Sequence, residues 1–195
     1  MPADLNHQSK DVSMANRVKD PLLVVGKVLA STLKTLSALA GGIFLLLIPI
    51  AVLVSQGVIT GFLDGPDRPI IVMHPVPGIT LAFVLALFCT ALFLFFGRLR
   101  ALIGSVADGD PFTPENARRL TLMAWLALGV QVLATAVAML REHLASLALD
   151  VPARGFFLDW GREDIVGMMM VIVLFILARV FKHGAAMRED LEGTV

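Results

Sequence analysis

From residue 21 onward the chain alternates between long apolar runs and short polar stretches. Residues 36–59, 77–97, 120–140 and 165–181 form four such runs, uncharged apart from Arg179 near the end of the last. Runs of about 20 apolar residues, rising 1.5 Å per residue as helix, cross roughly 30 Å of hydrocarbon. The pattern therefore predicts an all-α fold, an integral membrane bundle of four transmembrane helices. Residues 1–20 are polar and read as a disordered tail, residues 21–183 as the four-span domain, and residues 184–195 as a second polar tail.

Punctuation within the runs supports this division. Pro21 suits a first helical turn, and Leu22, Leu29, Leu33 and Leu36 follow at helical spacing. Lys27, Ser31 and Lys34 form one polar stripe, so this helix is expected to begin at the membrane surface and run on into the bilayer. Pro49 is expected to kink the first span, and Gly41-Gly42 to give a smooth face for close helix approach. Residues 60–76 and 141–164 are expected as external segments, the second with Phe156, Phe157 and Trp160 at the interface.

Composition agrees. A hydrophobic share of 57% with 16% charged residues and a mean hydropathy of +0.82 lies far outside the range of soluble domains. The net charge of zero gives no bulk basic field for direct nucleic-acid binding. Cys89 is alone, which excludes disulfide-relay chemistry and thiolate metal clusters. No cleavable signal peptide is evident at the N-terminus, so the first span is expected to act as an uncleaved anchor.

The distribution of charge matters more than its sum. Under the four-span reading Lys10, Arg17, Lys19, Lys27, Lys34, Arg98, Arg100, Arg118, Arg119, Arg179, Lys182 and Arg188 fall on one side, and Arg68, Arg141, Arg154 and Arg162 on the other. The positive-inside rule then places both termini and the central loop in the cytoplasm of a cell with this protein in its inner membrane.

That central loop holds the densest specific-looking chemistry. Two helix starts compete in it, Asp110-Pro111 and Thr113-Pro114. A helix begun at Pro111 would put Pro114 where the first intrahelical bond needs a donor, so the second start is favoured. Thr113 becomes the N-cap, Pro114 the first helical residue and Glu115 a first-turn acid facing the positive helix end. The candidate residues are Gly109, Asp110, Pro111, Phe112, Thr113, Asn116, Arg118 and Arg119. They form either a purely structural turn, cap and phosphate-facing rim, or a docking site with Phe112 as apolar anchor and Arg118/Arg119 as charged rim. Gln131, the polar residue near the centre of the third run, is expected to make an interhelical polar contact.

Around this loop the sequence resembles a bacterial family of four-span membrane proteins known as domain of unknown function 2975. Arg98 and Arg100, then Gly109, Pro111 and Phe112, then Asn116 and Leu120 carry the resemblance, which extends by layout over residues 27–183. It implies no established activity. It does imply a membrane partner for a small cytoplasmic helix-turn-helix regulator, since such regulators are often encoded beside family members.

Other chemistries lack the residues they need. Phosphate loops, Ser/His/Asp patterns and paired intramembrane carboxylates are missing from the sequence, and an enzyme is not expected. His74 and His143 could meet at the outer ends of two spans, yet no further ligand accompanies them, so no metal or cofactor is expected. Met168-Met169-Met170 reads as adaptable packing, and Asp159, Glu163 and Asp164 as a solvated helix start. The expected function is that of a multi-pass membrane protein of uncharacterised role acting through protein contacts in the lipid bilayer, as a monomer or a homo-oligomer. A small transporter or channel subunit is the alternative, although no ionisable group lies within the four runs as drawn apart from Arg179 at an end.

Overall fold

The computed structural model describes residues 21–55, 75–109, 111–149 and 162–192. Their apolar runs fold as four helices, α1 (Pro21–Ser55), α2 (Pro75–Ala107), α3 (Pro114–Leu149) and α4 (Arg162–Glu192). Each is long and apolar enough to cross a membrane. Among the described residues there is no strand, as a lipid solvent requires of any span that satisfies its own backbone. α1 is continuous from the expected surface turn into the span and runs through Pro49.

Three boundaries differ from those drawn on hydropathy. α2 does not stop at the arginines but carries on through Arg98 and Arg100 to Ala107, leaving only a short turn before Pro114. Ala101, Leu102 and Ile103 continue its apolar spacing past the two charges. α3 likewise passes Arg141 and ends at Leu149. Residues 184–192, read as tail, continue α4. That segment is held because Ala185 extends the buried stripe Val171, Leu174 and Ala178 two turns further along the same helix face. Residues 56–74 and 150–161, with His74, Phe156, Phe157, Asp159 and Trp160, lie outside the described residues, as do both polar termini.

The helices pack in chain order. α1 lies on α2, α2 on α3 and α3 on α4, while α1 makes no comparable contact with α3 or α4. The result is an open row of four helices. Lipid tails are as apolar as Leu, so helix pairing in a bilayer depends on close van der Waals fit between small residues. The α1–α2 seam has that character. Ala30, Ser37, Ala82, Ala86 and Cys89 are buried in the molecule, and a Cβ added at Gly41 would stand 3.2 Å from that of Cys89. Gly42 faces open space and has no part in the approach. The large residues, among them Leu45, Leu46, Ile172 and Ile176, point outward and are exposed, as a lipid-facing surface demands.

The principal core sits between α3 and α4. Leu120, Met123 and Ala124 meet Leu174 and Ala178, and Phe95, Leu99 and Leu102 of α2 close the cluster from the other side. Trp125 adds an edge-to-face contact with Phe175 at 5.4 Å. Hydroxyls within the helices are satisfied locally. Thr32, Ser37, Thr80, Thr90, Thr121 and Thr135 each donate to the carbonyl four residues back, so they expose no unpaired donor to hydrocarbon.

α4 is displaced along α3 toward the turn. Gln131 of α3 donates to Asp164 of α4 at 3.1 Å, yet α4 begins at Arg162 while α3 runs on to Leu149. At 1.5 Å per residue α3 therefore extends about 27 Å past this pair. At the opposite end α4 overshoots the turn, with Phe181 beside Phe112 and residues to Glu192 still to come.

Candidate functional site at the turn between the second and third helices

The turn forms because each helix end supplies its own terminator. α2 closes with the Asp108 amide on the Gly104 carbonyl at 3.0 Å and the Gly109 amide on the Val106 carbonyl at 3.1 Å. Gly109 then adopts φ +85°, the left-handed conformation that a glycine takes without a Cβ clash. α3 opens at Thr113, whose Oγ1 accepts from the Asn116 amide at 3.2 Å and whose carbonyl accepts from the Asn116 and Ala117 amides. Thr113 is the cap, Pro114 the first helical residue and Glu115 a first-turn acid, as the rival-start argument requires. Asp110 lies outside the described residues.

Asn116 ties the turn together. Its side chain is fully buried. Nδ2 donates to Ser105 Oγ of α2 at 2.7 Å and to the Pro111 carbonyl at 3.0 Å, while Oδ1 accepts from the Arg119 guanidinium at 3.1 Å. One amide thus holds the last turn of α2, the connecting loop and the first two turns of α3. Ser105 completes the chain by donating to the Leu102 carbonyl at 2.8 Å. Arg119 also reaches Glu115 at 3.5 Å, so of the two adjacent arginines it is drawn into the lock, and Arg118 is the exposed one.

Phe112 is pinned rather than free. Its ring lies 5.1 Å from that of Phe181, centroid to centroid, and occupies the notch left by Gly184, where an added Cβ would come within 2.8 Å of Phe112 Cδ1. Its remaining surface, 43% of the residue, stays exposed. Beyond this contact α4 continues for about 12 Å, with Met187 and Leu191 exposed on one stripe.

The structure therefore brings together Gly109, Pro111, Phe112, Thr113, Asn116 and Arg119 in one locked turn, sets Arg118 on its rim, and holds Gln131 apart as the α3–α4 cross-link. Gln131 crosses α4 at Gly167, where an added Cβ would collide with its amide. Sequence reasoning missed Ser105, Phe181, Gly184, Met187, Leu191 and the role of Asp164. Ser105 was readable as the lone hydroxyl in an otherwise apolar helix end. Gly184 was hidden in a segment without an obvious apolar pattern. Asp164 reads in the sequence only as part of a solvated helix start, and its bond to Gln131, about 16 Å along α3 from Leu120, carries no local signal. Groups of three or more potential metal ligands are absent among the described residues.

The fold and the turn together define a class: a multi-pass membrane protein of four apolar helices, with a polar lock at the basic end of a helix hairpin. Within that class the chain belongs to the family described as Protein of unknown function (DUF2975), whose model matches residues 79–195. The match takes in nearly all of α2, the turn, α3, α4 and the end of the chain. It begins after α1, so it is narrower at the N-terminus and longer at the C-terminus than the layout over 27–183 implied. No curated protein and no solved structure matches the chain.

Proposed function

We propose that this is a membrane-embedded docking platform of the bacterial inner (cell) membrane, non-enzymatic and with both termini in the cytoplasm. Its turn and the overhanging end of α4 together receive a cytoplasmic protein. The observation that carries this reading is the exposed pair Met187 and Leu191 on the part of α4 that continues past Gly184, where the half-exposed ring of Phe112 rests. Exposed apolar side chains four residues apart on a helix end that also carries exposed charged residues match the anchor-and-rim pattern of helix-in-groove contacts. Lipid explains exposed Leu within the spans but not on a charged helix end. The family resemblance makes a helix-turn-helix regulator the partner of choice.

A photo-reactive residue placed at 187 in growing cells is expected to cross-link a protein of that kind, and Met187→Ser with Leu191→Ser to abolish the product when the probe is moved to 112. Cross-links at 187 no more frequent than from a lipid-facing probe at 47 would sink the proposal. A periplasm-active reporter fused after Val195 is expected to stay silent.

One observation favours the second reading, a small transporter or channel subunit. Asp164 meets Gln131 within the depth of the α3 apolar run, and carboxylates at such depth commonly serve ion or proton paths. Cation or proton flux into vesicles holding the protein, reduced to the level of empty vesicles by Asp164→Asn, would establish it; equal flux with and without the protein would dismiss it.

A further inference from the structure

The geometry points to a binding site for the phosphate headgroup of an anionic phospholipid in the cleft between α1 and α3. Because α1 touches α2 but makes no comparable contact with α3, α2 becomes the floor of a groove with a helix on either side. At the basic end this groove opens into a cavity of about 350 Å³. Lys34 enters from α1, Arg98 rises from the floor, and Arg119 and Glu115 close the α3 side.

Charge and depth identify the occupant. Three cations face one carboxylate, and that carboxylate already pairs with Arg119 at 3.5 Å. Among the described residues neither Lys34 nor Arg98 has a carboxylate partner, so the cleft keeps a surplus of two positive charges. Lys34 instead folds inward, its amine 4.8 Å above the Phe93 ring and beside Gly97. Such a contact leaves the ammonium without an anionic partner. The cations stand at the boundary of uncharged runs, Lys34 just before the run starting at Leu36 and Arg98 just after the run ending at Gly97. That boundary is where lipid phosphates lie, and cations there are attracted to anionic headgroups. The floor leads from the cations to Phe93 and the exposed Leu94, a continuous apolar path for an acyl chain. A zwitterionic lipid brings its own cation to the cleft and is disfavoured. An anionic lipid neutralises the surplus. This site shares only Arg119 and Glu115 with the turn and does not depend on the docking proposal.

The test uses the full-length protein in detergent, stripped of lipid and offered equal amounts of phosphatidylglycerol and phosphatidylcholine, with retained lipid read by native mass spectrometry. Selective retention of phosphatidylglycerol is expected. The double variant Lys34→Ala/Arg98→Ala should lower it about thirtyfold, from two lost phosphate contacts at the membrane surface. Lys27→Ala/Arg100→Ala removes equal charge outside the cavity and should leave it within about twofold. Lys34→Gln, which keeps the side-chain stem on Phe93, should weaken retention in the same direction and guards against loss of fold. Equal losses in the two double variants, or no preference between the lipids, would overturn the site. Displacement by millimolar inorganic phosphate would reassign the cleft to a free anion and overturn the lipid assignment.

Discussion

Replacing Asn116 by Ala tests the lock at its centre. The side chain is fully buried, and its hydrogen bonds include two donated at 2.7 and 3.0 Å and one accepted from a guanidinium at 3.1 Å. A neutral bond contributes about 1 kcal/mol net and one to a charged group about 1.5–3. Removing these bonds, with the Pro111 carbonyl left without that donor, comes to roughly 4 kcal/mol, to which the vacated volume adds. Ser105→Ala should cost less, about 1 kcal/mol, because it deletes one bond from Asn116 and one back to the Leu102 carbonyl that a helical carbonyl survives without. Thr113→Ala removes a cap and should also cost about 1 kcal/mol. Equilibrium unfolding of the full chain in mixed micelles, followed by circular dichroism, measures each. The Asn116→Ala/Ser105→Ala pair should show a coupling of about 1 kcal/mol, since the two residues share a bond. An Asn116→Ala loss below about 1 kcal/mol, or a coupling near zero, would mean that the amide is satisfied equally well in the unlocked hairpin, and the lock would have no energetic meaning.

Two glycines give sharper yes-or-no outcomes. Gly184→Ala should push Phe112 off Phe181 and cost about 1–3 kcal/mol in the same unfolding assay, but little in a Phe112→Ala background, where the colliding ring is gone. Equal cost in both backgrounds would refute the notch. Gly167→Ala should expel the Gln131 amide and break its bond to Asp164, and Gln131→Ala should relieve it; no relief would show that α4 resents the methyl for another reason.

The architecture was legible because lipid imposes a coarse and unmistakable code. Four apolar runs gave four helices, and the conflict between Pro111 and Pro114 gave the α3 start, since proline leaves few places for a helix to begin. The helices run past the charges that bound the spans, because charge marks the membrane surface and not the end of hydrogen bonding: Arg98, Arg141 and Lys182 all sit inside helices. Hydropathy also carries no information on axial offset. Nothing in the apolar run of α4 announces that its first turn meets α3 at Gln131. Asn116 could be seen as part of a family-like pattern, but its bond to Ser105 spans two helices and needs coordinates.

The open row also separates what belongs to the family from what belongs to this chain. The lock, the notch and the overhang all fall within residues 79–195. α1 lies outside that span and packs chiefly along α2, through small side chains that let it approach without adding to the core at Leu120 and Met123. The hairpin α2–α3 with α4 laid across its turn is therefore the unit whose geometry the matched region encodes, and a partner that reads the turn would find it there without α1. The cleft is different in kind. It exists only where α1 adds Lys34 to a floor and a wall that the matched region supplies, and its two surplus charges arise from one residue on each side of that boundary. Docking at the overhang should accordingly survive substitutions in α1 such as Lys34→Ala, whereas selectivity for anionic lipid should not. Were both properties lost together on changing Lys34, α1 would have to be holding the turn in place, and the division drawn here between a family hairpin and an added helix would fail.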